Sequence, residues 1–260
     1  MTDHNMSAKT QTKKSSTEGQ DKNEVVEQID NEIVAKAPDL PVLSDCIGDF
    51  DNDDISFDKF QLAQKIGGLS DDFQPGDWVI RGEKKIAGIG DDPLNITVMR
   101  LVKSFVEDLP WGGDDKPRTA STKDEVYAMG GTLKWTEDEN GKSVKPTWKP
   151  MADAFVCLEA PEGMDSYEWF PYIFRDPSSE DEVEKTIAFV QWTIRNTAYR
   201  RAVEPMISAR KTYRSSGLMY GSFKLTSEKA VINGNQVSVP KIGRGVEHSQ
   251  PFVEWLSEFI

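Results

Sequence analysis

Eleven cations fall within residues 185–244: Lys185, Arg195, Arg200, Arg201, Arg210, Lys211, Arg214, Lys224, Lys229, Lys241 and Arg244. Six aromatic residues are interleaved with them: Phe189, Trp192, Tyr199, Tyr213, Tyr220 and Phe223. This pairing of residue types suits a strand of phosphates that carries flat, unpaired bases. Cations track the phosphates and release counterions, while aromatic faces stack on bases for about 1–3 kcal/mol each. Guanidinium planes can do both. The candidate contact set is Trp192, Arg195, Tyr199, Arg200, Arg201, Arg210, Lys211, Tyr213, Arg214, Tyr220 and Lys224. Each aromatic also has a structural reading, as core, and each arginine near a helix end has one as a partner of the helix dipole.

The net charge of −13 speaks against a polyanion ligand until its distribution is considered. Residues 1–58 carry 14 acids and 5 bases, and residues 59–184 carry 25 acids and 15 bases. Residues 185–244 carry 2 acids and 11 bases, and residues 245–260 carry 3 acids and no base. One block is thus net positive between acidic flanks, which is the pattern of a polyanion site whose flanks suppress nonspecific attachment.

Other chemistry is poorly provided for. The only histidines, His4 and His248, stand near opposite ends, and Cys46 and Cys157 are isolated, so neither a zinc site nor a disulfide is expected. A reducing, cytoplasmic setting fits. Asp49, Asp51 and Asp53 resemble the start of a calcium loop, but Asp54 stands where glycine belongs and Phe60 where the bidentate glutamate belongs. A solvated acidic linker is the simpler reading. The chain has no phosphate-binding glycine loop, dinucleotide fingerprint or nucleophile elbow. No cofactor is expected, and a non-enzymatic protein is favoured, although 44 acids leave room for an unrecognised carboxylate pair. No apolar stretch reaches the 18 or so residues of a membrane span, and the N-terminus lacks the apolar segment of a signal peptide.

The elements that must position the candidate residues follow from turn signals and periodicity. Residues 1–58 form an acidic tail and linker, with too little apolar surface in the first forty residues to offset the entropy of ordering. A domain is expected over residues 59–245, then a C-terminal tail or short helix over 246–260. Strands are expected at Trp78–Ile80, Leu94–Val106, Met151–Glu159 and Tyr167–Phe174. Asn140-Gly141 marks a hairpin, and Asn233-Gly234-Asn235 joins two strands between Gly217 and Val239. One prominent helix is expected from about Asp181 to Glu204. Ser179 to Glu182 would cap it, Val183, Ile187, Val190 and Ile194 would face the core, and Pro205 would interrupt it. Tyr220 and Ser222 should share one face of a strand, with Phe223 on the other. The sum is a mainly β fold with some α (α+β): an OB-like Greek-key barrel with insertions.

Several strings then resemble phage-type single-stranded DNA-binding proteins. They are Leu62-Ala63-Gln64, the Gly-Asp-Trp-Val run at Gly76–Val79, the helical ending Thr197-Ala-Tyr-Arg-Arg201-Ala202, Phe223-Lys-Leu225, and Gln236-Val-Ser-Val-Pro240. The resemblance covers about residues 60–245. It implies an OB-like fold, groove binding of single-stranded DNA, and a part in replication, recombination or repair. It also implies that acidic tails recruit replication or recombination proteins, although here the long acidic tail is N-terminal. A homo-oligomer is compatible with all of this. The competing reading is a structural or interaction protein, virion-associated or scaffold-like, whose basic block binds an acidic partner.

Overall fold

The computed structural model describes residues 57–110, 115–164, 167–177, 184–210, 217–232 and 234–260. The acidic tail through residue 56, Cys46, the calcium-like string at Asp49–Asp54 and the capping sequence Ser179–Glu182 lie outside the described residues.

The fold is mainly β with a few helices. The strands are β1 (Asp58–Leu62), β2 (Trp78–Ile80), β3 (Lys84–Ala87), β4 (Leu94–Glu107), β5 (Thr119–Ala120), β6 (Thr136–Glu137), β7 (Ser143–Val144), β8 (Trp148–Glu159), β9 (Tyr172–Arg175), β10 (Glu184–Arg195), β11 (Gly221–Ile232) and β12 (Asn235–Glu247). Ten of them form one sheet, ordered β12-β11-β4-β8-β10-β1-β2-β3, with β5 added to β4 and β9 to β10. The sheet curls into a half-barrel. Pairing is antiparallel except between β1 and β10. Hairpin β6–β7 stands apart, closed through the expected Asn140-Gly141 turn.

The expected helix over Asp181–Glu204 is instead strand β10 as far as Arg195. Its residues explain the outcome. Thr186, Ile187, Val190, Thr193 and Ile194 are β-branched, and Phe189 and Trp192 are aromatic, which suits a pleated surface. Val190 and Ile194 are four residues apart, an offset that keeps one face in a helix and in a strand alike. Ile187 and Val190 are three apart, so in the strand they point to opposite faces. Ala188, Val190, Trp192 and Ile194 enter the main core, with Phe60, Trp78, Ile96, Val156, Phe170 and Phe223. Ile187 and Phe189 enter a second core on the other face, with Met99, Cys157, Phe174, Phe252 and Leu256.

A helix does form, but later. Asn196–Ala198, a π-helical turn at Tyr199–Val203 and Glu204–Arg210 run on as one helix, α2. Pro205 was expected to break a helix, and here lies within one. A proline has no N–H for the preceding turn and crowds its carbonyl, so the widened π turn directly before it fits the local geometry. The entry from β10 is sharp, with Asn196 at φ +54°. Asn tolerates this left-handed conformation better than most side chains. Tyr199, Ala202, Val203 and Met206 of α2 fill the main core.

Strands β4 and β8 are long, and a bulge between Val98 and Arg100 bends β4. The far ends of the two strands carry an insertion. Phe105, Trp148 and Ala120 there pack with Val126 of helix α1 (Lys123–Ala128). The second core is closed by helix α3 (Gln250–Ser257) and the residues after it. Phe252, Trp255 and Phe259 meet Phe174, Phe189 and Tyr172 at ring-centroid distances of 4.4–5.9 Å. The C-terminal segment therefore folds back on its own sheet. Among the described residues, no helix is long and apolar enough to cross a membrane.

His248 leads into α3 and is mostly buried. Its Nε2 lies 2.7 Å from Thr97 Oγ1, in a hydrogen bond whose direction follows the imidazole tautomer. Its ring meets Phe252 edge-on at 4.6 Å. Burial, reinforced by the nearby Lys185 ammonium, pushes its pKa from 6.5 down to about 3. The native imidazole is thus neutral, while the unfolded one takes a proton near its ordinary pKa. Below that pKa the unfolded state binds more protons, so stability falls as pH falls from about 6.5 towards 3, by at most about 1.4 kcal/mol per pH unit from this group. Between pH 6.5 and 4.5, above the range where most carboxylates titrate, denaturant unfolding of the native chain should show this slope. His248→Gln should flatten it, and an unchanged slope would refute the assignment.

Candidate functional site

The structure separates the candidate contact residues. Trp192 is 3% exposed, and its ring is boxed in by Trp78 at 5.1 Å and Phe60 at 6.3 Å. Only a sliver of it reaches the lining of the cleft described below. Tyr199 is 8% exposed and belongs to the same core. Tyr220 is not on a strand but in a 3₁₀ turn, Leu218–Tyr220, where its carbonyl accepts the His248 N–H. Phe223 is fully buried. Of the two readings open for these aromatics, the structure gives both a packing role: Trp192 on the main-core face of β10 and Tyr199 on α2.

The cations fare differently. Arg195 is exposed at the end of β10, and Arg200 and Arg201 are exposed on α2. Arg201 reaches across to Glu228 of β11 at 2.9 Å, and Lys241 of β12 approaches the same carboxylate at 3.5 Å. Lys224 is half-buried on β11, opposite Gly243. Arg210 ends α2, and its side chain, like Lys211, Tyr213 and Arg214, lies outside the described residues.

A groove opens where the half-barrel comes round on itself. Beyond their short pairing with β4, strands β11 and β12 continue as a two-stranded arm. The arm returns towards the segment after β1. There the Gln64 side chain acts as a substitute strand: its Nε2 donates to the Ser238 carbonyl at 2.9 Å, and its Oε1 accepts the Ser238 N–H at 3.3 Å. The Ser227 hydroxyl donates to the Gly76 carbonyl nearby. These contacts fasten the arm without a continuous ladder, so a cleft of about 920 Å³ remains between β1, the end of β10 and β12. Its apolar lining includes Phe60, Leu62, Ile232, Val237 and Pro240. Its polar lining consists of Gln61, Gln64, Gln191, Thr193, Asn196, Thr197, Asn235 and Ser238, with Lys59 and Arg195 as the charged groups.

A smaller pocket of about 430 Å³ adjoins the groove and shares Val237 and Ser238 with it. Lys65, Lys85 and Lys229 line it, with Gln74, Ile89 and Gln236. Its one acid, Asp77, is 5% exposed and committed: Oδ1 pairs with Lys85 Nζ at 2.9 Å, and Oδ2 accepts the Gln74 N–H at 2.9 Å. Gly76 is required here. Its φ is +105°, and a Cβ would come within 2.5 Å of the Ile89 side chain. Acids make up 44 of the 260 residues, yet among the described residues this single paired carboxylate is the only one lining either space. Among the described residues, Lys59, Lys65, Arg195 and Lys229 form no ion pair.

The cleft thus keeps Trp192 and Arg195 of the expected set and adds Lys59, and the adjoining pocket adds Lys65, Lys85 and Lys229. Three of these additions stand in a sequence block that is net acidic, so block charge gave no sign of them. Pro75-Gly76-Asp77 was legible as a turn, but not as the floor of a pocket. Cys157 is fully buried and its thiol is pushed well above its ordinary pKa by burial and by Glu159, which leaves it unreactive. Among the described residues, no three His, Cys, Asp or Glu side chains come together as a metal site. Comparison of the chain with protein-family models, with curated proteins and with solved structures finds no match.

The seam makes its own prediction. Gln64→Leu keeps the side-chain bulk but removes both bonds to Ser238, which is 6% exposed. Stranding two poorly solvated backbone groups should cost about 1–3 kcal/mol in a denaturant titration. A loss under about 0.3 kcal/mol would show that the seam is held by other contacts.

Proposed function

We propose that this protein binds single-stranded DNA along the seam of the half-barrel, without converting it chemically. One observation carries the reading: in a chain of net charge −13, the cleft shared by β1, β10 and β12 and the pocket beside it are lined by cations and neutral amides, with one carboxylate that is paired with Lys85. Lys59 and Arg195 supply phosphate contacts beside the groove, and Lys65 and Lys229 continue them beyond Ser238. The apolar floor offers bases a surface to lie on, and the glutamine and asparagine side chains offer hydrogen bonds to their edges. A duplex shields its base edges and is a thick, stiff rod, so the narrow seam favours a single strand.

In this reading the curled sheet works as an OB-like barrel does, with the ligand crossing the strands at a barrel opening. The residues that resemble phage-type single-stranded DNA-binding proteins bear on it directly. Gln64 and the Gln236–Pro240 run form the seam, and the Gly76–Val79 run begins at the pocket floor. A role in replication, recombination or repair is the corresponding cellular proposal.

Fluorescence anisotropy with labelled oligo-dT tests the proposal. Four cations outside any described ion pair predict a slope of log affinity against log salt of about −3, at about −0.7 per phosphate on a single strand. Lys59→Ala combined with Arg195→Ala should bring the slope nearer to about −1.4 and weaken binding at about 0.1 M salt by about tenfold or more. Arg200→Ala, outside the cleft, should leave both unchanged. Absence of binding at low salt would overturn the reading, as would equal binding of duplex.

A further inference from the structure

We infer that the lysine pocket beside Ser238 is a receptor for the terminal phosphate of the bound strand, so that the protein prefers strand ends that carry a phosphomonoester. The inference rests on the single-strand reading and extends it, because it assigns the pocket a ligand distinct from the internal phosphates of the groove.

Charge matching supports it. Lys65, Lys85 and Lys229 line one space of about 430 Å³ together with one carboxylate, Asp77. The pocket is therefore net +2. An internal phosphodiester carries a single charge and needs one cation. A terminal phosphomonoester carries about −1.5 to −2 at neutral pH and presents three acceptor oxygens. A triad of ammonium groups around a net +2 pocket matches the second ligand, and would be an excess for the first.

The pocket is also built rather than incidental. Asp77 is buried, and its carboxylate pairs with Lys85, so this lysine is anchored instead of loose. Gly88 leaves room for that pair: a Cβ there would lie 2.7 Å from Asp77 Oδ1 and 2.9 Å from Lys85 Nζ. Lys229 stands directly opposite Ser238 in the β11–β12 register, which places the two on one side of the arm. Ser238 is also where pocket and groove meet. A strand lying in the groove thus ends beside Lys229, and Gln74, Gln236 and the Ser238 hydroxyl stand ready as neutral donors around an end group.

The test compares three labelled oligo-dT strands of one length: with a 5′-phosphate, with a 3′-phosphate, and with hydroxyls at both ends. Anisotropy titrations at fixed salt should show one phosphorylated strand binding about tenfold tighter than the hydroxyl strand, as charge-assisted contacts to an added phosphate imply. Which end wins gives the polarity of the strand in the groove. Lys229→Gln with Lys65→Gln, both exposed positions, should abolish the preference, while the hydroxyl strand still binds through Lys59 and Arg195, more weakly and with the salt slope reduced to about −1.4. Equal binding of all three strands would overturn the pocket assignment and leave the groove reading standing. A preference that survives in the double variant would also overturn it. If no strand binds, the groove reading fails and the inference fails with it.

Discussion

A strand in the middle of a sheet that carries apolar side chains on both faces needs two covers, and β10 imposes this condition on the whole molecule. Phe189 and Ile187 point one way, and Ala188, Val190, Trp192 and Ile194 point the other. One cover comes from the sheet itself, which curls until β2, β4, β8 and β11 share a core with β10, and from α2, which fills that core from the end of β10. The other comes from α3 and the aromatic residues after it. Burial of large apolar side chains at roughly 1.5–3 kcal/mol each makes both covers worth their ordering entropy. The C-terminal aromatic residues are therefore committed to the sheet.

The curl also creates the functional opening. A sheet that bends to enclose one core brings its first and last strands near each other without matching their ladders. Gln64 closes part of that mismatch with a side chain that imitates a backbone peptide. What remains unclosed is a groove whose walls are strand surfaces and therefore stiff. The strained approaches lie beside it: Asn196 at positive φ where β10 becomes helix, and Gly76 beneath Ile89.

Much of the β framework was legible in the sequence because its signals are local. The Asn140-Gly141 hairpin, the strands at β2, β4 and β8, and the hairpin closed before Asn235 each follow from turn residues and alternation within a few positions. The helical reading of β10 failed for a reason that is not local. Its first half is apolar on both faces because of the position it occupies in the sheet, and a doubly buried strand loses the alternation that would identify it. Trp192 was misplaced by the same fact. Its neighbours in sequence are cationic, but its neighbours in space are Trp78 and Phe60.

Charge shows the same difference between sequence and space. Summed over sequence blocks, the positive region begins with β10 and ends within β12, yet Lys59, Lys65 and Lys85 come from the acidic part of the chain and line the same seam as Arg195 and Lys229. Conversely, Arg201 and Lys241, counted as binding charge, share Glu228. With a Debye length near 8 Å at physiological salt, a phosphate in the cleft is governed by the cations lining it rather than by distant carboxylates. The surrounding negative charge still acts on approach, where it disfavours polyanions that meet any other surface. Local attraction inside a repulsive envelope selects for ligands slender enough to enter the seam. On the proposed reading the groove floor would strengthen that selection: Phe60 and Trp192 reach the lining but are 1% and 3% exposed, so bases would rest chiefly on aliphatic side chains. On that reading affinity would depend chiefly on phosphates placed at the right spacing, which is a property of a strand's backbone and not of its sequence.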